Sequence, residues 1–448
     1  MLSGESCKVD KTRKTIINGK FRWTVVTALV LLLAFVMSSC TTYNSFKGTF
    51  IDKAGSEKDQ QTITIGVFEP QTGRNAARGL EELKGIELAN SIYNNVDGYK
   101  VVLSKVDTKS SVSATRTAVQ GLIEMKPVAM IGSAGEATSL AASELVEEAQ
   151  IPTITASATN PLITQGNSYY FRASITESQM GQGLAEYAIK EKESENIGIV
   201  TLKNDSSVAA MKDGFETKAK DLKGRRNRTI KYETEIMPTE EEMEKAIKGL
   251  RGNGVNICLA PLGTENMDVF FRLIEKNGMT DIIFLGQRSW GDEAFISLME
   301  KHPDIKIVFP YESVLTGTSS TSDSITPEAQ RFQIEYANRY GSDDIPTYNA
   351  ALGYDAYLIM INAIHNAKSL EGPDLRSSLM ELSELKCSTG AFSFDGSGNV
   401  VRSVTLSTLK DGKPVNEYIC ESEAKSKALE DVEEQQAEDH QTEEQQSE

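Results

Sequence analysis

From residue 62 the chain alternates short β-branched runs with longer stretches whose apolar positions recur every three or four residues. TITIGVFE, YKVVLSKVD, PVAMIGS and IPTITAS are the short runs, and LEELKGIELANSIYNN, SVSATRTAVQGLIEM and ATSLAASELVEEAQ lie between them. Period-2 runs divided by period-3.6 stretches predict β-α-β units, hence a mostly parallel sheet covered by helices and wound by right-handed crossovers. After FRASITESQMGQG the same order starts again with NIGIVTL, SVAAMKDGFETKAKDL, IKYETEI, EEEMEKAIKGL, VNICLAPL, ENMDVFFRLIEKNG and DIIFLG. The repetition predicts an α/β protein of two Rossmann-like lobes joined by a hinge, with a ligand cleft at their strand ends. A third portion completes both lobes. It runs from KIVFPYE through the helix TYNAALGYDAYLIMINAIHNA to AFSFDGSGNVVRSVTLSTLKDG, with a hairpin turn at Asp395-Gly-Ser-Gly398.

The ends follow other patterns. Lys8, Lys11, Arg13, Lys14, Lys20 and Arg22 precede an apolar run from Trp23 to Met37, and Ser38-Ser39-Cys40 follows it. A spanning helix needs ~20 apolar residues, so this shorter run predicts an export signal over 1–39 in preference to an uncleaved anchor. The Ser-Ser-Cys ending resembles a bacterial lipobox, which implies that Cys40 is acylated and becomes the first mature residue. Residues 40–60 read as a flexible tether. Residues 421–448 hold eleven acidic residues and two lysines with few apolar ones, and are expected to form an acidic disordered tail.

The formal net charge is −17, and no long basic stripe interrupts it, which argues against a nucleic-acid partner. The one basic cluster, Lys223-Gly-Arg-Arg-Asn-Arg228, reads as a solvated turn. Cys258 sits in an apolar run and is expected to be a buried small hydrophobe. Cys387 and Cys420 flank the last hairpin and are left open as a disulfide or as two thiols. His302, His365 and His440 are too scattered to build a metal site, and no cofactor is expected. Enzyme signatures such as GxSxG, HExxH and a phosphate loop are absent, and Gly181-Gln-Gly183 falls short of GxGxxG, so the chain is read as a binding protein without catalysis.

PQTGRNAARGLEELKGIELAN, GSAGEATSLAASELVEEAQIPTI, SATNP at Ser157 to Pro161, Phe171-Arg172, Gly353-Tyr-Asp-Ala356 and Phe394-Asp395 occur in that order. Together they resemble the leucine/isoleucine/valine-type periplasmic binding proteins, the type I solute receptors of ABC importers for amino acids and amides. The likeness runs over about residues 62 to 416. It implies lobe 1 from 61–175 and 306–368, and lobe 2 from 176–305 and 369–420. It also implies a lipid-anchored envelope protein that closes on a small polar amino acid, amide or carboxylate and presents it to a transporter permease.

In that resemblance the ligand carboxylate meets the helix start after Ser133-Ala-Gly-Glu136 and the loop with Ser157 and Thr159. Helix starts and Ser/Thr turns supply donors for an anion, although the same two side chains also serve to cap a turn before Asn160-Pro161. Several positions depart from the family pattern. Glu136 replaces a serine, Arg78 a tyrosine and Ser206 an aromatic wall, while Gly263 stands where an aromatic residue can occur. Arg288 falls where an acidic residue holds the ammonium group.

Two arginines in one cleft repel an α-amino group and suit a carboxylate. Glu136 then has two roles open to it, binding a cationic group or neutralising an arginine to latch the lobes. Trp290 either stacks on the ligand or packs in the core. A second function remains open on the sequence: an envelope sensor or regulator that uses the same fold to bind a protein partner without transport.

Overall fold

The computed structural model describes residues 61–203, 205–223, 229–311 and 326–420. The export signal with Cys40, the tether, the basic cluster beyond Lys223 and the acidic tail lie outside the described residues. Among the described residues no helix is long and apolar enough to cross a membrane.

The first sheet is laid down by β1 (Thr62–Glu69), β2 (Asn95–Val96), β3 (Tyr99–Asp107), β4 (Ala129–Gly132), β5 (Thr153–Thr155) and β6 (Tyr170–Arg172). Its order is β2-β3-β1-β4-β5-β6, parallel except for the short β2. Strands buried on both faces need continuous apolar runs, as in AMIG of β4, where all four residues are buried. Helices α1 (Ala76–Ile92), α2 (Val112–Glu124) and α3 (Glu136–Ala149) connect the strands. Because β3 and β4 flank β1 on opposite sides, the winding direction reverses at β1. The strand ends there, Glu69 and Gly132, open a crevice suited to a ligand.

The second lobe repeats this plan. Helix α4 (Glu177–Glu186) starts at a capping box between Thr176 and Gln179. There follow β7 (Ile197–Leu202), α5 (Ser206–Lys223), β8 (Ile230–Ile236), α6 (Glu240–Gly252), β9 (Ile257–Leu259), α7 (Thr264–Lys276), β10 (Ile283–Leu285), α8 (Glu293–Met299) and β11 (Lys306–Pro310). After these come α9 (Pro327–Tyr340), α10 (Tyr348–Asn366), α11 (Gly372–Met380), the three-stranded sheet β12 (Leu385–Cys387), β13 (Gly390–Phe394) and β14 (Val400–Val401), and the hairpin β15 (Val404–Lys410) with β16 (Lys413–Cys420). The second sheet runs β16-β15-β11-β10-β9-β7-β8. The turn at Asp395 to Gly398 joins β13 to β14, with Asp395 Oδ1 accepting from the N–H groups of Ser397 and Asn399.

The lobe boundaries differ from those expected. β11 pairs in parallel with β10 and antiparallel with β15, so residues 306–310 extend the second sheet and do not start the return to lobe 1. Residues 369–401 belong with lobe 1. Gly372 lies against the carbonyl of Gln150, Arg376 Nε donates to Ser168 O at 2.8 Å, and Arg172 N donates to Gly398 O at 3.0 Å. The reason is pairing: the apolar edge of β10 is completed by IVF of β11, while α10 packs on the first sheet and α11 packs on α10.

Small residues set how closely the helices approach. A Cβ on Gly85 of α1 would stand 1.8 Å from Ala350 O of α10, and one on Gly353 of α10 would stand 2.2 Å from Glu82 O of α1. Gly181 and Gly214 do the same for α4 and α5, at 2.0 Å from Met211 O and 2.1 Å from Ser178 O. The two glycines of Gly181-Gln-Gly183 thus serve helix packing, Gly183 against Val404. Cys258, Cys387 and Cys420 are buried free thiols, so the question left open by the sequence resolves to two thiols. No group of His, Cys, Asp and Glu side chains among the described residues is arranged for a metal.

Candidate functional site

The crevice between the lobes is lined from lobe 1 by the end of β1, the turn before α3 and the loop after β5. From lobe 2 it is lined by the segment after β10. The turn before α3 places Glu136 at the first helical position, and its carboxylate points across to the neighbouring loop. Thr159 N and Asn160 N donate to Glu136 Oε1 and Oε2, each at 2.9 Å. Thr159 Oγ1 donates to Glu136 Oε1 at 3.4 Å and to Glu177 Oε1 at 3.3 Å. Glu136 therefore spends both oxygens on its own lobe. No ion pair joins it to Arg78 or Arg288 among the described residues, so of the two roles open to it the latch is not formed, and the carboxylate clamps its own loop. Glu136→Ala leaves two backbone donors unpaired and is expected to lower stability by about 1–3 kcal/mol, measured by urea unfolding; an unchanged midpoint would contradict the clamp.

The loop is held from beneath by Arg172, which is fully buried. Its Nη1 donates to Ala158 O at 3.2 Å and its Nη2 to Asn160 O at 2.7 Å. Burial lowers the Arg172 guanidinium to about 10, against the opposing pull of Glu136. Ser174 Oγ adds a third bond, to Ala158 O at 2.9 Å. Ser157 and Thr159 are both in the crevice, but their hydroxyls are already committed: Ser157 Oγ donates to Glu82.

Glu82 and Glu69 form the floor, both fully buried. Ala134 N donates to Glu69 Oε2 at 2.7 Å. Burial, then the charge of Glu82, raises the Glu69 carboxyl well above the usual range. Burial also raises Glu82 to about 7, although Ser157, Arg78 and Arg288 pull it down. Glu177, at the start of α4, is pushed up to about 7 by desolvation, with Arg288 opposing. Sequence reading passed over these acids. Glu82 nevertheless lies on the apolar face of α1 with Gly79, Leu83 and Ile86, a position where a carboxylate signals function.

Arg78 and Arg288 face this acidic floor from opposite lobes. Arg78 Nη1 donates to Ala134 O at 3.2 Å, and its side chain is otherwise exposed. The guanidinium of Arg288 lies 3.9 Å above the ring of Tyr348, at the start of α10, in a cation–π contact that bridges the lobes. Ser174, Ile175, Met180, Tyr311 and Tyr348 line a small depression beside Arg288. Both arginines act on Asp292, whose carboxyl is raised by desolvation and lowered by Arg288 and Arg78. Neither arginine has a carboxylate within ion-pair distance among the described residues.

Trp290, Ser206 and Gly263 fare differently. Trp290 is fully buried, stacks on Phe295 at 4.7 Å between centroids and 11° between planes, and donates from Nε1 to Leu262 O at 3.0 Å. Of the two roles open to it, it takes core packing in lobe 2. Ser206 opens α5 at the end of β7, and its side chain lies outside the described residues. Gly263 caps α7, where a Cβ would meet nothing within 4 Å, so the aromatic wall of the family pattern is replaced by open space.

Residues 62–414 match the sequence profile of a family described as periplasmic binding protein. An amino acid binding protein of Pseudomonas aeruginosa is 28% identical over 143 residues, 31% of this chain and 38% of that relative's length. The fold is shared with the leucine binding protein LivK of Thermotoga maritima, at a TM-score of 0.62 and 22% identity over 80% of this chain and 99% of that one. It is also shared with an R. palustris solute binding protein in complex with 4-hydroxybenzoate, at a TM-score of 0.62 and 17% identity, covering 81% and 98% of the two chains.

Proposed function

Since the chain belongs to the periplasmic binding protein family, in its type I leucine/isoleucine/valine branch, we propose that it captures a small carboxylate lacking an α-amino group between its lobes and delivers it to an ABC importer. The observation that carries this reading is the pairing of Arg78 and Arg288 across the crevice, two guanidinium groups without ion-pair partners among the described residues. Guanidinium N–H groups bind a carboxylate through two parallel charge-assisted bonds, one set from each lobe, so the anion itself draws the lobes together. An ammonium group entering beside Arg288 meets like charge in a partly desolvated site. That the same fold in R. palustris binds 4-hydroxybenzoate, an acid without an amine, supports the reading. The cleft has a capture role and no catalytic one.

The same reading places the protein outside the cytoplasm, tethered by lipid at Cys40. Two acyl chains are enough for stable anchoring. Cys40→Ser is expected to abolish palmitate labelling and release the protein from the membrane fraction. Retention of the variant in that fraction would assign the anchor to residues 23–37 instead.

A further inference from the structure

Two buried oxygens at the floor of the crevice have no hydrogen-bond donor: Glu69 Oε1 and Glu82 Oε2. Every other oxygen of the two carboxyls is served, Glu69 Oε2 by Ala134 N–H and Glu82 Oε1 by the Ser157 hydroxyl. The two carboxyls are close enough for each to act on the other's charge. Two fully buried neighbouring carboxylates, with one orphaned oxygen apiece, are unfavourable as a doubly charged pair, because neither the repulsion nor the missing donors are compensated. A single proton removes both defects. We propose that Glu69 and Glu82 are a carboxylic acid–carboxylate pair sharing one proton, and that this pair links capture of an anion in the cleft to uptake of a second proton.

The linkage follows from what faces the pair. Arg78 on α1 and Arg288 after β10 both favour the ionised form of Glu82, while Tyr170 on β6 faces Glu69 with its hydroxyl donating to Gly132 O at 2.6 Å. An anion that neutralises the two arginines removes the charges that keep Glu82 ionised, so Glu82 gains a proton from solvent as the anion binds. Affinity for an anion is thereby greatest at acid pH and falls as pH rises through neutrality, where Glu82 titrates.

The linkage rests on the carboxylate reading above, whereas the shared proton does not, and the experiment separates them. Infrared difference spectra of the ligand-free full chain at neutral pH, native against Glu69→Gln, are expected to show a carboxylic-acid C=O band that the variant lacks. The amide of the variant reproduces the donor, so the fold is kept. Glu82→Gln changes the partner of that band and shifts it. No acid band distinguishing native protein from Glu69→Gln overturns the pair, whatever the cleft binds. With benzoate as probe, affinity of the native chain is expected to be up to about tenfold tighter at pH 6 than at pH 8, the effect of a one-unit shift in one linked group, and this dependence is reduced in Glu82→Gln. Benzoate affinity independent of pH in the native chain overturns the linkage.

Discussion

Arg288→Glu is expected to weaken benzoate binding on the order of 100-fold while leaving the fold intact. The native residue contributes charge-assisted hydrogen bonds to the carboxylate, about 1.5–3 kcal/mol, and the variant substitutes a like charge at the same place. Arg288 is half-buried, so solvent screening reduces the repulsion, and about 100-fold is the net that remains after that discount. The Tyr348 ring loses its contact with the Arg288 guanidinium at the same time, which removes a contact that bridges the lobes. Titration calorimetry on native and variant chains measures the effect. The variant also restores an acid where amino-acid receptors hold an ammonium group, so leucine binding is expected to rise as benzoate binding falls. An unchanged ligand profile would place Arg288 outside the site.

The second large effect is on stability. Gly353→Ala sets a methyl group 2.2 Å from the carbonyl oxygen of Glu82, a backbone atom that cannot swing aside. Helix α10 must move away from α1, and overpacking of this kind costs about 3 kcal/mol. Because Glu82 sits at the contact, the displacement also disturbs the acidic floor, so Gly353→Ala should impair ligand binding as well as lower the urea midpoint. A change in stability below about 0.5 kcal/mol would show that the two helices are less tightly opposed than described.

The alternation of short β-branched runs and helical spacing carried the element order and the parallel sheets, because each is a local property of the chain. What the sequence left undetermined depends on non-local contacts. The run KIVFP is recognisable as a strand, yet nothing in it says that it pairs with β10 and β15 in place of turning back to lobe 1. Trp290 follows a strand end where a ligand role was plausible. Gly286 decides the matter by lacking a side chain, since a Cβ there would lie 2.2 Å from the indole, and the ring fills that space within the core. Glu136 was read position by position against a family pattern, and its partners turned out to be two backbone N–H groups 23 and 24 residues away. Arg78 and Arg288 were legible as unusual cations, whereas the acids that they face were not, because Glu69 lies at the end of a strand and Glu82 on a helix that otherwise reads as ordinary.

A thermal-shift comparison of amino acids with their des-amino counterparts tests the carboxylate reading most directly. Leucine is paired with 4-methylpentanoate, phenylalanine with 3-phenylpropanoate, and benzoate is included. A bound ligand raises the melting temperature through RT ln(1 + [L]/Kd), so selective stabilisation by any member of the panel is visible directly in the melting curves. The account predicts that at least one acid without an amine stabilises the protein and that the matching amino acid does not. Stabilisation by leucine, isoleucine or valine beyond that of the des-amino acids would contradict it and place Arg288 outside the ligand site.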